Sequence, residues 1–325
     1  MRTHAIRFAK TGGPEVLSWE EVEVGEPGQG QVLLRQTAVG LNYIDTYHRS
    51  GLYKVELPSG LGTEGAGVVE KVGPGVSELK VGDRIAYASG GLGAYSQYRL
   101  FPAERAVKLP ANISDQQAAA MMLQGMTVEY LVRRTFAVKP GMTVLLHAAA
   151  GGVGMIATQW LKHIGATVIG TAGSPEKLAL AQKTGCDHVI DYSKEDVAKR
   201  VREITGGKGV PVVYDGVGKD TFQGSLDSLA IRGMFVSFGN ASGAVPPFEP
   251  ILLSAKGSLY FTRPTLFNYT ITRAELLESA NALFDVVGKG AVKIAVNQTY
   301  PLKDAAQAHR DLQARKTTGS TIFIP

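Results

Sequence analysis

Cysteine is almost missing: Cys186 is the single one in 325 residues. An intrachain disulfide and a cysteine-rich metal lobe are therefore excluded, and a reducing, cytoplasmic setting is expected. The six histidines (His4, His48, His147, His163, His188 and His309) are scattered without metal-ligand spacing, so no bound zinc is expected. No run of five basic residues and no nucleic-acid-binding motif occurs, and the net charge of +5 is spread along the chain. A nucleic-acid partner is not expected. No apolar run approaches the ~20 residues of a membrane helix. Met1–Lys10 spaces Arg2, His4, Arg7 and Lys10 between short apolar residues, as an amphipathic strand does and a leader does not. Proline is scarce beside glycine, 15 against 39, and without low-complexity tracts the glycines read as turns.

What is present suffices for two cores: the chain is long for one domain, 44% apolar and 19% charged. Residues 1–122 read as β-rich, with short alternating runs such as Val32–Arg35, Gly67–Val72 and Arg84–Tyr87. Pro27-Gly28, Gly73-Pro74-Gly75, Gly82-Asp83 and Ser89-Gly90-Gly91 separate such runs, which suggests a small antiparallel, barrel-like domain. Over 123–263 the rhythm becomes strand, helix, strand, helix: an α/β domain with a doubly wound parallel sheet. Its strands are expected at Val144–Leu146, Thr167–Thr171, His188–Ile190, Val210–Tyr214, Gly233–Phe238 and Ser258–Thr262. Residues 264–325 break the rhythm with helices near 272–287 and 303–315 and a strand at Thr321–Ile324, and are expected to return to the first domain.

The stretch Val144-Leu145-Leu146-His147-Ala148-Ala149-Ala150-Gly151-Gly152-Val153-Gly154 carries the most chemistry. An apolar strand feeds a glycine turn that opens into a helix with Val153, Ile156, Ala157, Trp160, Leu161 and Ile164 on one face. Free N–H groups at such a helix start attract a dinucleotide pyrophosphate, although Ala149 stands where the first glycine of the usual fingerprint would be. An NAD site places a carboxylate about 20 residues further on. Here the second strand ends Gly170-Thr171-Ala172-Gly173-Ser174 without one. Ser174, the following helix start and Lys177 leave room for a 2′-phosphate, and NADPH is the expected cofactor.

Two segments of the first domain are the candidates for the acceptor side. Gly40–Tyr53 is dense in hydroxyl, amide and aromatic groups, and the second is Gly62-Thr63-Glu64-Gly65-Ala66-Gly67. With these, Ala148–Gly154, Tyr214-Asp215-Gly216-Val217-Gly218, Ser237-Phe238-Gly239-Asn240 and the end before Ile322, the chain resembles the medium-chain dehydrogenase/reductase superfamily along essentially its whole length. It looks most like the quinone oxidoreductases related to zeta-crystallin. The resemblance implies a GroES-like first domain, a Rossmann domain, and hydride transfer from NADPH to a small-molecule quinone without metal. Zinc enzymes of the superfamily carry a cysteine ligand where Asn42 stands and a histidine ligand where Thr63 stands; one remaining carboxylate, Glu64, cannot build a tetrahedral site.

Quinone reduction needs near-attack geometry, hydrogen bonding to a developing oxyanion and exclusion of water. Asn42, Tyr47, Arg49 and Tyr53 are the expected catalytic groups, with rings stacking on a flat acceptor; Asp45 is expected to make local turn hydrogen bonds. The resemblance further implies that Asn42, Tyr43, Ile44, Asp45 and Thr46 approach the nicotinamide, with Tyr130 near it. Gly151, Gly152 and Val153 then take the pyrophosphate, and Gly173, Ser174, Lys177 and Tyr192 surround the 2′-phosphate. Phe238, Gly239, Asn240 and Ser242 border the nicotinamide ribose, and Thr262 and Arg315 close the cleft. Gly216 stands where relatives often carry serine. Two other functions stay open: reduction of the double bond of an enone or alkenal, and a non-catalytic NADPH-binding role, crystallin-like or RNA-binding. The last strand of the sheet, Ser258–Thr262, has an open edge that invites a homodimer.

Overall fold

The computed structural model describes residues 1–325. They form two units: residues 1–126, 270–288 and 294–325 make the first, and residues 127–269 and 289–293 the second. The change of unit lies inside a helix, a few residues beyond the expected break at 122, and the chain returns at 270 rather than 264.

The first unit opens with β1 (Arg2–Phe8), β2 (Ser18–Glu23), β3 (Gln31–Leu41), α1 (Tyr43–Ser50), β4 (Ser59–Gly60), β5 (Gly65–Val72), β6 (Arg84–Tyr87), β7 (Tyr98–Pro102) and β8 (Val107–Lys108). α2 (Asp115–Ala119) and α3 (Met122–Tyr130) follow. Its strands form two sheets: three strands in the order β2-β1-β4, and a larger sheet centred on β3. The eleven-residue β3 pairs antiparallel with β5 and β7, and its end meets the C-terminal strand. Ile6, Phe8, Leu34, Tyr95, Phe101 and Phe323 pack in its core.

In the second unit β9 (Thr143–Leu146), α4 (Gly152–Ile164), β10 (Thr167–Ala172), α5 (Pro175–Thr184), β11 (His188–Asp191), α6 (Val197–Ile204), β12 (Val210–Asp215), α7 (Phe222–Ser228), β13 (Leu229–Ser237), α8 (Ile251–Ala255) and β14 (Tyr260–Thr262) come in turn, with α9 (Leu266–Tyr269) after them. All strand pairs are parallel, in the order β11-β10-β9-β12-β13-β14. Apolar strands with both faces covered enclose Leu145, Ile169, Ile190, Val213 and Phe235. β13 begins before the expected Gly233 because Arg232, at φ 61°, bends the strand instead of ending it.

α10 (Arg273–Gly288), β15 (Val296–Pro301), α11 (Ala305–Gln313) and β16 (Ser320–Ile324) then complete the first unit; between α10 and β15, residues 289–293 belong to the second. β15, absent from the sequence expectation, alternates half-buried and exposed side chains and pairs parallel with β16. β16 in turn lies antiparallel to β3, with Phe323 opposite Val39.

Candidate active site

The nucleotide-type loops of the second unit are shaped by backbone more than by side chains. Ala148 sits at φ 54°, in the left-handed region, and its carbonyl accepts the Gly151 N–H at 2.9 Å. A Cβ on Gly154 would lie 2.3 Å from that same carbonyl, so only glycine lets α4 start this close to β9. Gly151 caps α4 without any side-chain hydrogen bond, and the first turn holds no acidic residue. The amides of that turn, Gly152 and Val153 among them, are left for an anion.

After β10, Ser174 caps α5 and accepts the Lys177 N–H at 3.4 Å, while Pro175 takes the first helical position. A Cβ on Gly173 would fall 2.5 Å from the half-exposed Tyr192 ring, so Gly173 and Tyr192 lie against each other next to the Ser174 cap. Glu176 adds a carboxylate in the first turn of α5; its own backbone N–H and Ser174 hold it below the usual range. Asp191, at the end of β11, is spent on Ser193 and Lys194.

The loops after β12 and β13 are pressed together. A Cβ on Gly239 would lie 2.4 Å from the Gly216 carbonyl, and one on Gly216 2.9 Å from the Phe238 ring, which gives the glycine at 216 a packing reason. Ser242 is fastened to this pair: its hydroxyl donates to the Val217 carbonyl at 3.0 Å and accepts the Asp220 N–H at 3.0 Å. These two bonds fix Ser242 at the edge of the paired loops. Thr262 closes β14 beside Val236. Tyr130 is buried and stacks on Tyr269 at 4.4 Å.

Beneath these loops runs a buried chain that sequence reasoning missed. Asp215 accepts the Val217 and Gly218 N–H groups at 2.8 and 3.0 Å through one oxygen and the Ser225 hydroxyl at 2.7 Å through the other. Ser225, having donated, accepts from His147 Nε2 at 3.0 Å, which leaves His147 Nδ1 to accept from the Thr171 hydroxyl at 3.1 Å. Burial lowers the His147 pKa and keeps the ring neutral, in agreement with that pattern. Four residues thus tie together the loops after β9, β10 and β12. A histidine at the end of an apolar strand was the only available signal.

In the first unit, Asn42 stands where β3 hands over to α1. Its N–H donates to Asp45 Oδ2 at 2.9 Å, the local bond expected of Asp45. Its side chain is bound at both ends: Nδ2 donates to Glu64 Oε2 at 2.6 Å, and Oδ1 accepts from Gln124 Nε2 at 3.1 Å. Glu64 is fully buried, and its other oxygen accepts the Leu123 N–H at 2.7 Å. A Cβ on Gly40 would lie 2.3 Å from Glu64 Oε2, so the glycine makes room for the carboxyl. Burial raises Glu64 to about 8 and Asp45 to about 7.

Around this junction the rings of Tyr43, Tyr47 and Tyr53 lie in series, with centroids 5.9 and 5.3 Å apart, and His48 meets Tyr53 at 5.8 Å. Tyr47 is buried, whereas Tyr43, Ile44 and Tyr53 are partly exposed; the Thr46 hydroxyl donates to the Tyr43 carbonyl at 2.7 Å. Burial raises the Tyr43 phenol, and Arg315, at φ 59°, is near enough to lower it in part.

Arg49 is turned inward. It is 1% exposed, and its guanidinium donates to the Gly12 carbonyl at 3.1 Å, His309 Nδ1 at 2.9 Å and Gln313 Oε1 at 2.9 Å. An arginine donates at every nitrogen, so His309 keeps its proton on Nε2 and offers it to Tyr95, 3.1 Å away; Tyr95 donates to Asp45 Oδ2 at 2.9 Å. Arg49 braces α1 against α11 through these bonds. Burial, reinforced by Arg49, drives His309 down to about 3.

Residues 28–111 match the family described as alcohol dehydrogenase GroES-like domain, and residues 152–285 the family described as zinc-binding dehydrogenase. Fold and site together define a medium-chain dehydrogenase/reductase. Within that superfamily the chain belongs to the quinone oxidoreductase family. It is 54% identical to the quinone oxidoreductase of Pseudomonas aeruginosa over 98% of this chain and 99% of that one. The crystal structure of Escherichia coli quinone oxidoreductase complexed with NADPH superposes with a TM-score of 0.98 at 52% identity, covering 99% of this chain and 100% of that chain. A 2-haloacrylate reductase of a Burkholderia species is 50% identical over 97% of each chain. The donor set at Asn42, Thr63 and Glu64 does not fit the zinc of the second domain's family description. An amide, a hydroxyl and one committed carboxyl replace thiolate and imidazole, and no group of three His, Cys, Asp or Glu is placed to hold a metal ion.

Proposed function

We propose that this protein is an NADPH-dependent quinone oxidoreductase whose nucleotide is held by the second unit and whose acceptor is met by Asn42 and the tyrosines of the first. One combination carries the reading: dinucleotide loops built on Ala148, Gly151 and Gly154, in a chain that offers a buried amide where a zinc enzyme needs a thiolate. The cradle fits the cofactor, because the start of α4 is uncapped, free of acid and walled by a carbonyl that tolerates only glycine. When bound, the reduced nicotinamide supplies the hydride. Gly151, Gly152 and Val153 would hold its pyrophosphate by backbone N–H groups, and Ser174, Lys177 and Tyr192 its 2′-phosphate.

The protein's own part in the chemistry is modest. A quinone that accepts a hydride becomes a hydroquinone anion, an aromatic product that needs stabilisation at one oxygen and later a proton. Asn42 can supply a hydrogen bond to that oxygen, because its Nδ2 has a second N–H beyond the one given to Glu64. Tyr47 and Tyr53 would flank the flat ring and exclude water. Steady-state oxidation of NADPH with 1,4-benzoquinone is the test. Turnover with NADPH much above that with NADH is expected; equal rates would remove the 2′-phosphate argument. Tight nucleotide binding without turnover of any acceptor would return the protein to a non-catalytic role.

The Burkholderia relative favours one second reading, reduction of a conjugated carbon–carbon double bond, since a hydride can be delivered to carbon in the same geometry. Turnover of a quinone and a 2-substituted acrylate side by side separates the two. A homodimer is part of the proposal: β14 ends its sheet, and Tyr260, Ile231 and Ile251 on the second unit are 59, 77 and 71% exposed. Light scattering at micromolar concentration would show a mass near twice 34.5 kDa. No helix is long and apolar enough to cross a membrane, and the lone cysteine is buried and unpaired, which supports a reducing, cytoplasmic location.

A further inference from the structure

Asn42 belongs to a chain of groups whose hydrogen bonds can run in either of two directions. Ser320 Oγ stands 2.8 Å from Gln124 Oε1 and 2.8 Å from the Ala120 carbonyl. Gln124 Nε2 donates to Asn42 Oδ1, and Asn42 Nδ2 donates to Glu64 Oε2. Run this way, Ser320 donates to Gln124, every amide is satisfied, and Asn42 keeps one N–H to spare. The reverse is equally satisfied: Ser320 donates to Ala120 and accepts from Gln124 Nε2, Gln124 Oε1 accepts from Asn42 Nδ2, and Asn42 Oδ1 turns toward Glu64. Only Glu64 breaks the tie. Its Oε1 is fixed as an acceptor by the Leu123 N–H, so the character of Oε2 decides the direction.

We propose that Glu64 is a positioning residue for the reduction: as a carboxylate that only accepts, it sets the direction of the Ser320–Gln124–Asn42 chain and makes Asn42 present N–H, not C=O, to the acceptor oxygen. The inference rests on the reading of Asn42 as an acceptor contact. A proton on Glu64 must sit on Oε2, because Oε1 is already receiving, and would reverse the chain. Glutamine at 64 would do the same, its amide being unable to face the Leu123 N–H. Burial brings the ionisation of Glu64 to about 8, within reach of assay. The titratable groups facing it are Asp45, Tyr87 and Tyr95.

The test is kcat for 1,4-benzoquinone at saturating NADPH between pH 6.5 and 9.5, in the wild type, Glu64→Gln, Asn42→Ala and the double variant. The expected wild-type kcat rises about tenfold with pH, one N–H to a developing oxyanion being worth at least that. Glu64→Gln is expected to stay on the low plateau at every pH with its NADPH Kd unchanged, and to lower kcat no further once Asn42 is alanine. A rising limb that survives in Glu64→Gln, or a loss of equal size with and without Asn42, would overturn the proposal. Should Asn42→Ala match the wild type throughout, the reading of Asn42 as an acceptor contact fails first. If Glu64→Gln does not fold, a flat wild-type profile is itself enough to overturn the assignment.

Discussion

The two buried polar chains of this protein serve opposite ends. In the second unit His147, Ser225 and Asp215 hold a pattern with one solution: Asp215 accepts three hydrogen bonds, so Ser225 must donate to it and the imidazole is fixed as a neutral tautomer. That chain holds three loops still. In the first unit Ser320, Gln124 and Asn42 hold a pattern with two solutions, and one carboxyl selects between them. Binding a constant ligand such as a dinucleotide asks for rigid loops, while meeting an acceptor whose charge changes asks for a group whose donor end is set.

The largest expected effect tests the rigid side. Gly154→Val would push a side chain into the Ala148 carbonyl and should weaken NADPH binding on the order of a thousandfold, read by calorimetry. Next comes Arg49→Met, which strips Gly12, His309 and Gln313 of their donor and should lower stability by about 3 kcal/mol in denaturant unfolding. Turnover per folded molecule should stay within about twofold of the wild type; a tenfold fall would restore Arg49 to the acceptor site.

pH gives a third test, on the switchable side. Glu64 ionises near 8 and Asp45 near 7 in the folded chain, against about 4 for an unfolded carboxyl. The fold therefore binds their protons more tightly than the unfolded chain does. The stability this confers is complete below about pH 4 and is lost as pH rises through 7 and 8, on the order of 2–4 kcal/mol for each group. Tm should fall from pH 7 to pH 9 in the wild type and fall less in Glu64→Gln, as scanning calorimetry would show. The smallest effect concerns Lys177→Ala, expected to raise the KM for NADPH about tenfold relative to that for NADH; an unchanged ratio would take Lys177 out of the 2′-phosphate site.

The sequence disclosed backbone-made features well and side-chain-made ones poorly. The strand–turn–helix at Val144–Gly154 and the Ser174-Pro175 helix start are local, so their spacing could be read directly, and the second unit's sheet followed from the alternation of strands and helices. β15 escaped because its alternation is faint, and the bend at Arg232 because a left-handed arginine has no signature. The bracing bonds of Arg49 escaped for a different reason: its partners are 37, 260 and 264 residues away in sequence, beyond any local pattern. Distance in sequence also hid the link of Gln124 and Ser320, two ordinary polar residues, to Asn42 and Glu64; they matter only because α3 and β16 bring them there.

The pairing of β16 with β3 has a consequence for biosynthesis. Thr321 lies opposite Leu41, the residue just before Asn42, and Ser320 supplies the far end of the amide chain. A ribosome finishes every strand of the second unit some sixty residues before it makes Ser320. During that interval the dinucleotide loops already have their whole sequence, whereas Asn42, the amide proposed for the acceptor, still lacks the far end of its hydrogen-bonded chain. The order of synthesis therefore completes the loops proposed for the reductant before the group proposed for the acceptor.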